Sequence, residues 1–87
     1  MTNKRTQILE KAENLINGDR QNDYGDAQES FDAIGQMWSA YLGTAVLGRD
    51  VCNMMALLKI ARLRNGAHED SSIDGAGYLA LGGELGG

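Results

Sequence analysis

The run Asp50-Val51-Cys52-Asn53-Met54-Met55-Ala56-Leu57-Leu58-Lys59-Ile60-Ala61-Arg62-Leu63 constrains the fold more than any other stretch. It contains neither Pro nor Gly, and Val51, Met54, Met55, Leu58 and Ala61 fall on one stripe at helical spacing. Cys52, Ala56, Leu57, Ile60 and Leu63 cover most of the remaining circumference. A helix apolar nearly all round is buried among others, so this one is expected in the middle, between the other helices and a second subunit. Lys59 and Arg62, three residues apart, place two cations on one side of it. Cations there require carboxylates, phosphates or water opposite them.

The flanking segments predict three more helices. Over 4–17, Ile8, Leu9, Ala12, Leu15 and Ile16 form one stripe, with Lys4, Glu10, Lys11 and Glu13 on a solvated face. Gly18 suits the left-handed position after such a helix. Over 26–42, Phe31, Ile34, Trp38, Tyr41 and Leu42 make the stripe, Asp26 and Glu29 give a capping start, and Gly43 closes the helix. The row Asp26, Glu29, Asp32 is explained by the helix dipole, with a divalent-cation site as its weaker reading. The apolar run itself predicts a helix over 49–64, ended by Asn65-Gly66. A fourth helix over 70–82 carries Ile73, Ala76, Gly77, Ala80 and Leu81, with Asp70 as its N-cap. Its glycines each cost about 1 kcal/mol relative to Ala. Gly75 and Gly77 therefore point to close approach of another backbone or a ligand, and Gly82 and Gly83 to fraying.

The expected fold is all-α, a four-helix bundle-like single domain over residues 1–87. A domain of this size buries only about 60–65 % of its unfolded surface. Cys52 is the sole cysteine and sits mid-helix among apolar residues, so no disulfide supplements that core. His68 is the sole histidine, which excludes a Cys/His zinc cluster. The remaining device is self-association, and a homo-oligomer, at least a dimer, is expected. A net charge of −4 without a basic stripe argues against nucleic acid. No secretory pattern follows Met1, and the central run is too short and too charged for a membrane span. The expectation is a soluble, cytoplasmic protein.

Chemistry concentrates in Lys59 and Arg62, in Asp70, Asp74 and Tyr78 one helical turn apart from each other, and in Arg20 and Tyr24 of the connector Asp19–Asp26. Arg20 offers a planar fork for phosphate, and Tyr24 a ring and a hydroxyl; a capping loop is the plainer reading of that connector. Antiparallel neighbours joined by a short turn bring Lys59 and Arg62 against Asp70 and Asp74. They then form either an interhelical ion-pair set or a pocket with Mg²⁺ on the carboxylates and phosphate on the cations. Spacing does not separate the two.

The pattern Arg20-x-x-x-Tyr24-Gly25-Asp26, Phe31, Trp38, Met54-Met55…Leu58-Lys59-Ile60-Ala61-Arg62, Asp70-x-x-x-Asp74-x-x-Gly77-Tyr78 resembles a family of small phage and prophage proteins of unassigned function. The resemblance covers about residues 8–81. More distantly that family is similar to the MazG-like all-α nucleoside triphosphate pyrophosphohydrolases. What this likeness implies is Arg20, Tyr24, Lys59, Arg62 and Tyr78 on a nucleotide or other phosphate-bearing ligand. It also implies Asp70 and Asp74 in place of an acidic metal-binding pair for Mg²⁺. The enzymes' first metal helix carries Glu-Glu-x-x-Glu, whereas here helix 3 has Lys59 and Arg62 and no carboxylate after Asp50. The expectation is accordingly binding without efficient catalysis and no catalytic residue. Two alternatives accompany it. One is an inhibitor, in a host-cell cytoplasm, that sequesters a nucleotide signal or occludes a host protein; the other is a Mg²⁺-dependent pyrophosphohydrolase. A structural oligomer whose polar set only aligns subunits is the plainest reading.

Overall fold

The computed structural model describes residues 3–18 and 26–85. Among these, four α-helices succeed one another: α1 (Lys4–Asn17), α2 (Ala27–Leu42), α3 (Gly48–Arg62) and α4 (Glu69–Glu84). A 3-10 turn, Leu63–Asn65, extends α3. The all-α, four-helix expectation holds.

The helix ends follow local chemistry. Asn3 Oδ1 accepts the Thr6 N–H at 2.9 Å and starts α1. Asp26 Oδ1 accepts the Glu29 N–H at 3.1 Å and starts α2, as its sequence predicts. Gly43 closes α2 at φ +73°, its N–H donating to the Ser39 carbonyl. At the start of α3 the Asp50 carboxylate accepts the Leu47 N–H at 2.9 Å. Two expectations fail. The N-cap of α4 is His68, with Glu69 and Asp70 already in the first turn. Asp70 is displaced from that role because helical geometry begins one residue earlier, at Glu69, which two lysines of α1 hold in place. Gly18 is not left-handed, having φ −113°. A Cβ there would lie 2.7 Å from the Asn14 carbonyl oxygen, so close approach explains the glycine.

The helices pack in the order α1, α4, α3, α2: α3 lies between α2 and α4, as its apolar run predicts, and α4 shares the centre between α1 and α3. Glycines let α4 pack closely on both sides. A Cβ on Gly77 would sit 3.0 Å from Ile16 Cγ2 of α1, and one on Gly82 would sit 3.0 Å from Cys52 Cβ of α3. Gly82 is buried in a helix that continues to Glu84, so it is a packing site and not a point of fraying. Gly82 lies near Cys52 and Gly75 near Lys59, which fixes α3 and α4 as antiparallel. The radius of gyration, 13.8 Å, exceeds the ~12 Å expected of a compact chain of this length, in keeping with helices laid side by side.

The core is thin. Phe31, Val46, Val51 and Cys52 form its buried cluster, with Ile34, Trp38, Met55, Tyr78 and Leu81 half-buried around it. The α2–α3 connector closes over it through Ser39. The hydroxyl accepts the Val46 N–H at 2.7 Å and donates to the Gly35 carbonyl at 2.7 Å. Gly35 admits this strap: a Cβ there would meet the Val46 carbonyl oxygen at 2.6 Å.

Candidate functional site

α3 buries Val51, Cys52 and Ala56 and leaves its opposite side uncovered. There Leu57 is 63 % exposed, Ile60 55 %, Leu58 47 % and Met54 38 %. α3 thus lies between α2 and α4, as expected, yet its apolar circumference exceeds what the described residues of one copy cover. The exposed stripe continues onto α2, where Met37, Tyr41 and Leu42 are each more than half exposed. Trp38, Tyr41, Leu42 and Met54 line a hollow of about 260 Å³ where the two helices meet. An apolar surface of this kind is where a second surface docks.

The polar constellation is partly assembled. Lys59 Nζ and Asp74 Oδ2 stand 3.3 Å apart, with side chains 14 % and 20 % exposed. This pair is the interhelical link that lets a mostly apolar helix hold a cation. Asp74 also borders a small pocket between α1, α2 and α4, whose walls include Leu15, Ile16, Phe31, Gly77 and Tyr78. Its free space is about 20 Å³, room for about one water. Tyr78 meets the ring of Phe31 edge-on, with centroids 6.3 Å apart. Asp70 is exposed one turn before Asp74, and Arg62 is exposed in the last turn of α3, a position the helix dipole favours. Arg20 and Tyr24 lie outside the described residues.

Other charges have structural roles. Asp26 caps α2, while Asp32 accepts hydrogen bonds from Gln28 and lies against Gly48 at the start of α3, a favourable place for an anion. Among the described residues no group of three or more His, Cys, Asp or Glu side chains converges as a metal site. Cys52 is buried, and its burial pushes the thiol up to about 11, which keeps it un-ionised and unreactive.

One feature escaped sequence reasoning. Lys4 and Lys11, expected on a solvated face, both reach the Glu69 carboxylate of α4, Lys11 at 2.7 Å. Hydrogen bonds from Lys11 and then Lys4 hold Glu69 down at about 2. The signal was present, since Lys4 and Lys11 are seven residues apart on one face of α1. Beside them lies an open cleft of about 590 Å³ with Ile8 and Leu63 in its wall and His68 and Ser72 at its edge.

Over residues 7–86 the chain matches the family described as Domain of unknown function (DUF6378). It belongs to that family. Among curated proteins this DUF6378 chain is similar to the Gene 55 protein of Mycobacterium phage L5. They are 51 % identical over 76 residues, which cover 85 % of this chain and 49 % of that protein. The Gene 55 protein of Mycobacterium phage D29 is 46 % identical over 72 residues, 82 % of this chain and 48 % of the relative. The chain spans about half the length of the curated relatives it matches. No solved structure matches it. These findings bear out the small-phage-protein resemblance and carry no link to the MazG-like enzymes. Among the described residues no helix is long and apolar enough to cross a membrane.

Proposed function

We propose that this DUF6378 domain is a docking module that acts by binding another polypeptide through the α2–α3 face. The observation that carries the reading is the uncovered apolar stripe Met54, Leu57, Leu58 and Ile60. Among the described residues the buried apolar side chains are Ala12, Phe31, Val46, Val51, Cys52, Ala56 and Ile73, mostly small. A domain that buries so little and exposes several Leu, Ile and Met side chains gains its missing stabilisation from a partner. Occlusion of a host protein and self-association are both forms of this activity. The test places a photo-crosslinking phenylalanine analogue at Leu57, or at exposed Glu13 of α1, in the full chain expressed in cells. Discrete adducts at position 57 and none at 13 are expected. No adduct at 57, or the same smear at both positions, refutes the docking reading.

A second reading is favoured by the Lys59–Asp74 pair beside Tyr78. In it the chain binds a nucleotide or other phosphate-bearing ligand in a MazG-like manner, with Lys59, Arg62 and Tyr78 on the ligand and without efficient turnover. Arg20 and Tyr24 belong to the same proposal by resemblance. Asp70 and Asp74 meet the carboxylate count for one Mg²⁺ carried on a ligand's phosphates, though not for a two-metal centre, and Asp74 would exchange Lys59 for the ion. A sequestering inhibitor would need this binding alone, whereas a pyrophosphohydrolase would also release pyrophosphate. Thermal-shift measurements on a nucleotide panel, with and without Mg²⁺ and followed by pyrophosphate detection, separate the cases. A melting point raised by one nucleotide and lost in Arg62→Ala supports the reading; no shift across the panel refutes it.

A further inference from the structure

The outer side of α3 has a self-complementary pattern. Opposite its buried residues Val51, Cys52 and Ala56, the helix presents Asp50, Met54, Leu57 and Ala61, and Arg64 follows in the 3-10 turn. Asp50 and Arg64 each lie seven residues from Leu57, on opposite sides of it, and they carry opposite charge. A segment with an acid at one end, a base at the other and an apolar centre matches a reversed copy of itself. Two such helices side by side in the same direction would set Asp50 on Asp50 and Arg64 on Arg64. In opposite directions, each acid faces a base.

We propose that the occupant of the α2–α3 face is a second copy of the chain, with α3 crossing α3 antiparallel on a two-fold axis at Leu57. The inference rests on the docking reading and names its partner. At the axis Leu57 packs on the second copy's Leu57, with Met54 and Ile60 on either side. Asp50 then meets the second copy's Arg64, and two-fold symmetry makes that contact twice. The area is adequate. Met54, Leu57, Leu58, Ile60, Met37, Tyr41 and Leu42 are between 38 % and 90 % exposed. At ~150 Å² for a full side chain of this size they offer on the order of 600 Å² of apolar surface per copy. A standard interface takes about 800 Å² from each partner, and the polar ends of α3 supply the remainder.

Sedimentation of the purified full chain over a dilution series tests the proposal, with circular dichroism to confirm that each variant is folded. The wild type is expected to be a dimer and Leu57→Asp a folded monomer. Asp50→Lys and Arg64→Glu, each alone, should weaken the dimer roughly tenfold or more, since both ends become like-charged. Mixed together, those two variants should form a heterodimer tighter than either homodimer. Because Asp50 also holds the Leu47 N–H, the double variant Asp50→Lys/Arg64→Glu is the control, and it should regain the wild-type dimer. A monomer at every concentration overturns the second copy and leaves the docking reading to the crosslinking result. A dimer abolished by Leu57→Asp but indifferent to both charge reversals overturns the antiparallel crossing, while the face stands. A dimer unchanged in Leu57→Asp overturns both.

Discussion

Replacing Asp74 with Asn removes one charge from the α3–α4 seam and leaves Lys59 facing it. Exposed ion pairs contribute about 0–1 kcal/mol, whereas breaking a fully buried pair costs about 3–5 kcal/mol because the remaining charge has lost both water and partner. Lys59 and Asp74 are 14 % and 20 % exposed, which places the expected loss between these limits, at about 2–3 kcal/mol. A domain of this size loses about 4–8 °C of melting temperature per kcal/mol, so Asp74→Asn should melt roughly 10–20 °C lower by circular dichroism. The double variant Lys59→Met/Asp74→Leu removes both charges. The leucine side chain it introduces on α4 would extend the apolar wall of Leu15, Ile16 and Phe31. It should return to within about 1 kcal/mol of wild type, since a well-packed apolar pair replaces a half-buried ionic one at little cost. A neutral Asp74→Asn, or a double variant as unstable as its two singles added, refutes the argument that burial of an unpaired charge sets the penalty.

Gly35→Ala should destabilise by about 2 kcal/mol or more in urea unfolding, because the new methyl would lie 2.6 Å from the Val46 backbone oxygen and the strap has no flexible side chain to yield. Acid unfolding should depend on Glu69. Its folded pKa, about 2, lies below its ordinary 4.5, so its contribution is complete above pH 4.5 and lost as the pH falls toward 2, and Glu69→Gln should flatten that part of the stability profile. The Cys52 thiol should resist a thiol reagent at pH 8 in the folded chain and react at once in denaturant; rapid labelling under native conditions would contradict its burial.

What could be read in the sequence was whatever local chemistry fixes. The stripes of α1 and α2, the Asp26 cap, the Gly43 stop and the antiparallel turn between α3 and α4 each depend on neighbours a few residues away. The Lys59–Asp74 pair was legible for the same reason, since a short turn brings those faces together. The Lys4–Glu69–Lys11 link was not, because it joins residues about sixty positions apart and depends on α1 packing against α4. Ser39 and Gly35 were silent too. A serine inside a helix reads as neutral filler until a returning connector supplies the Val46 N–H that it accepts.

That α4 shares the centre with α3 has a physical cause. Hydrophobicity records how much of a helix is buried in the final assembly, but not which neighbour buries it. By composition α3 reads as the inner helix because it is apolar all round, and α4 as a marginal one because it is rich in glycine. Glycine weakens an isolated helix by about 1 kcal/mol, yet the same missing side chain lets two neighbours approach closely on opposite sides, as Ile16 does at Gly77 and Cys52 at Gly82. Packed between α1 and α3, α4 is kept thin by Gly75, Gly77 and Gly82. α3, between α2 and α4, keeps an apolar face that the described residues leave exposed. The mismatch between its composition and its exposure therefore carries functional information: the residues that overstate its burial within one copy, Met54, Leu57, Leu58 and Ile60, are the ones from which a docking surface is inferred.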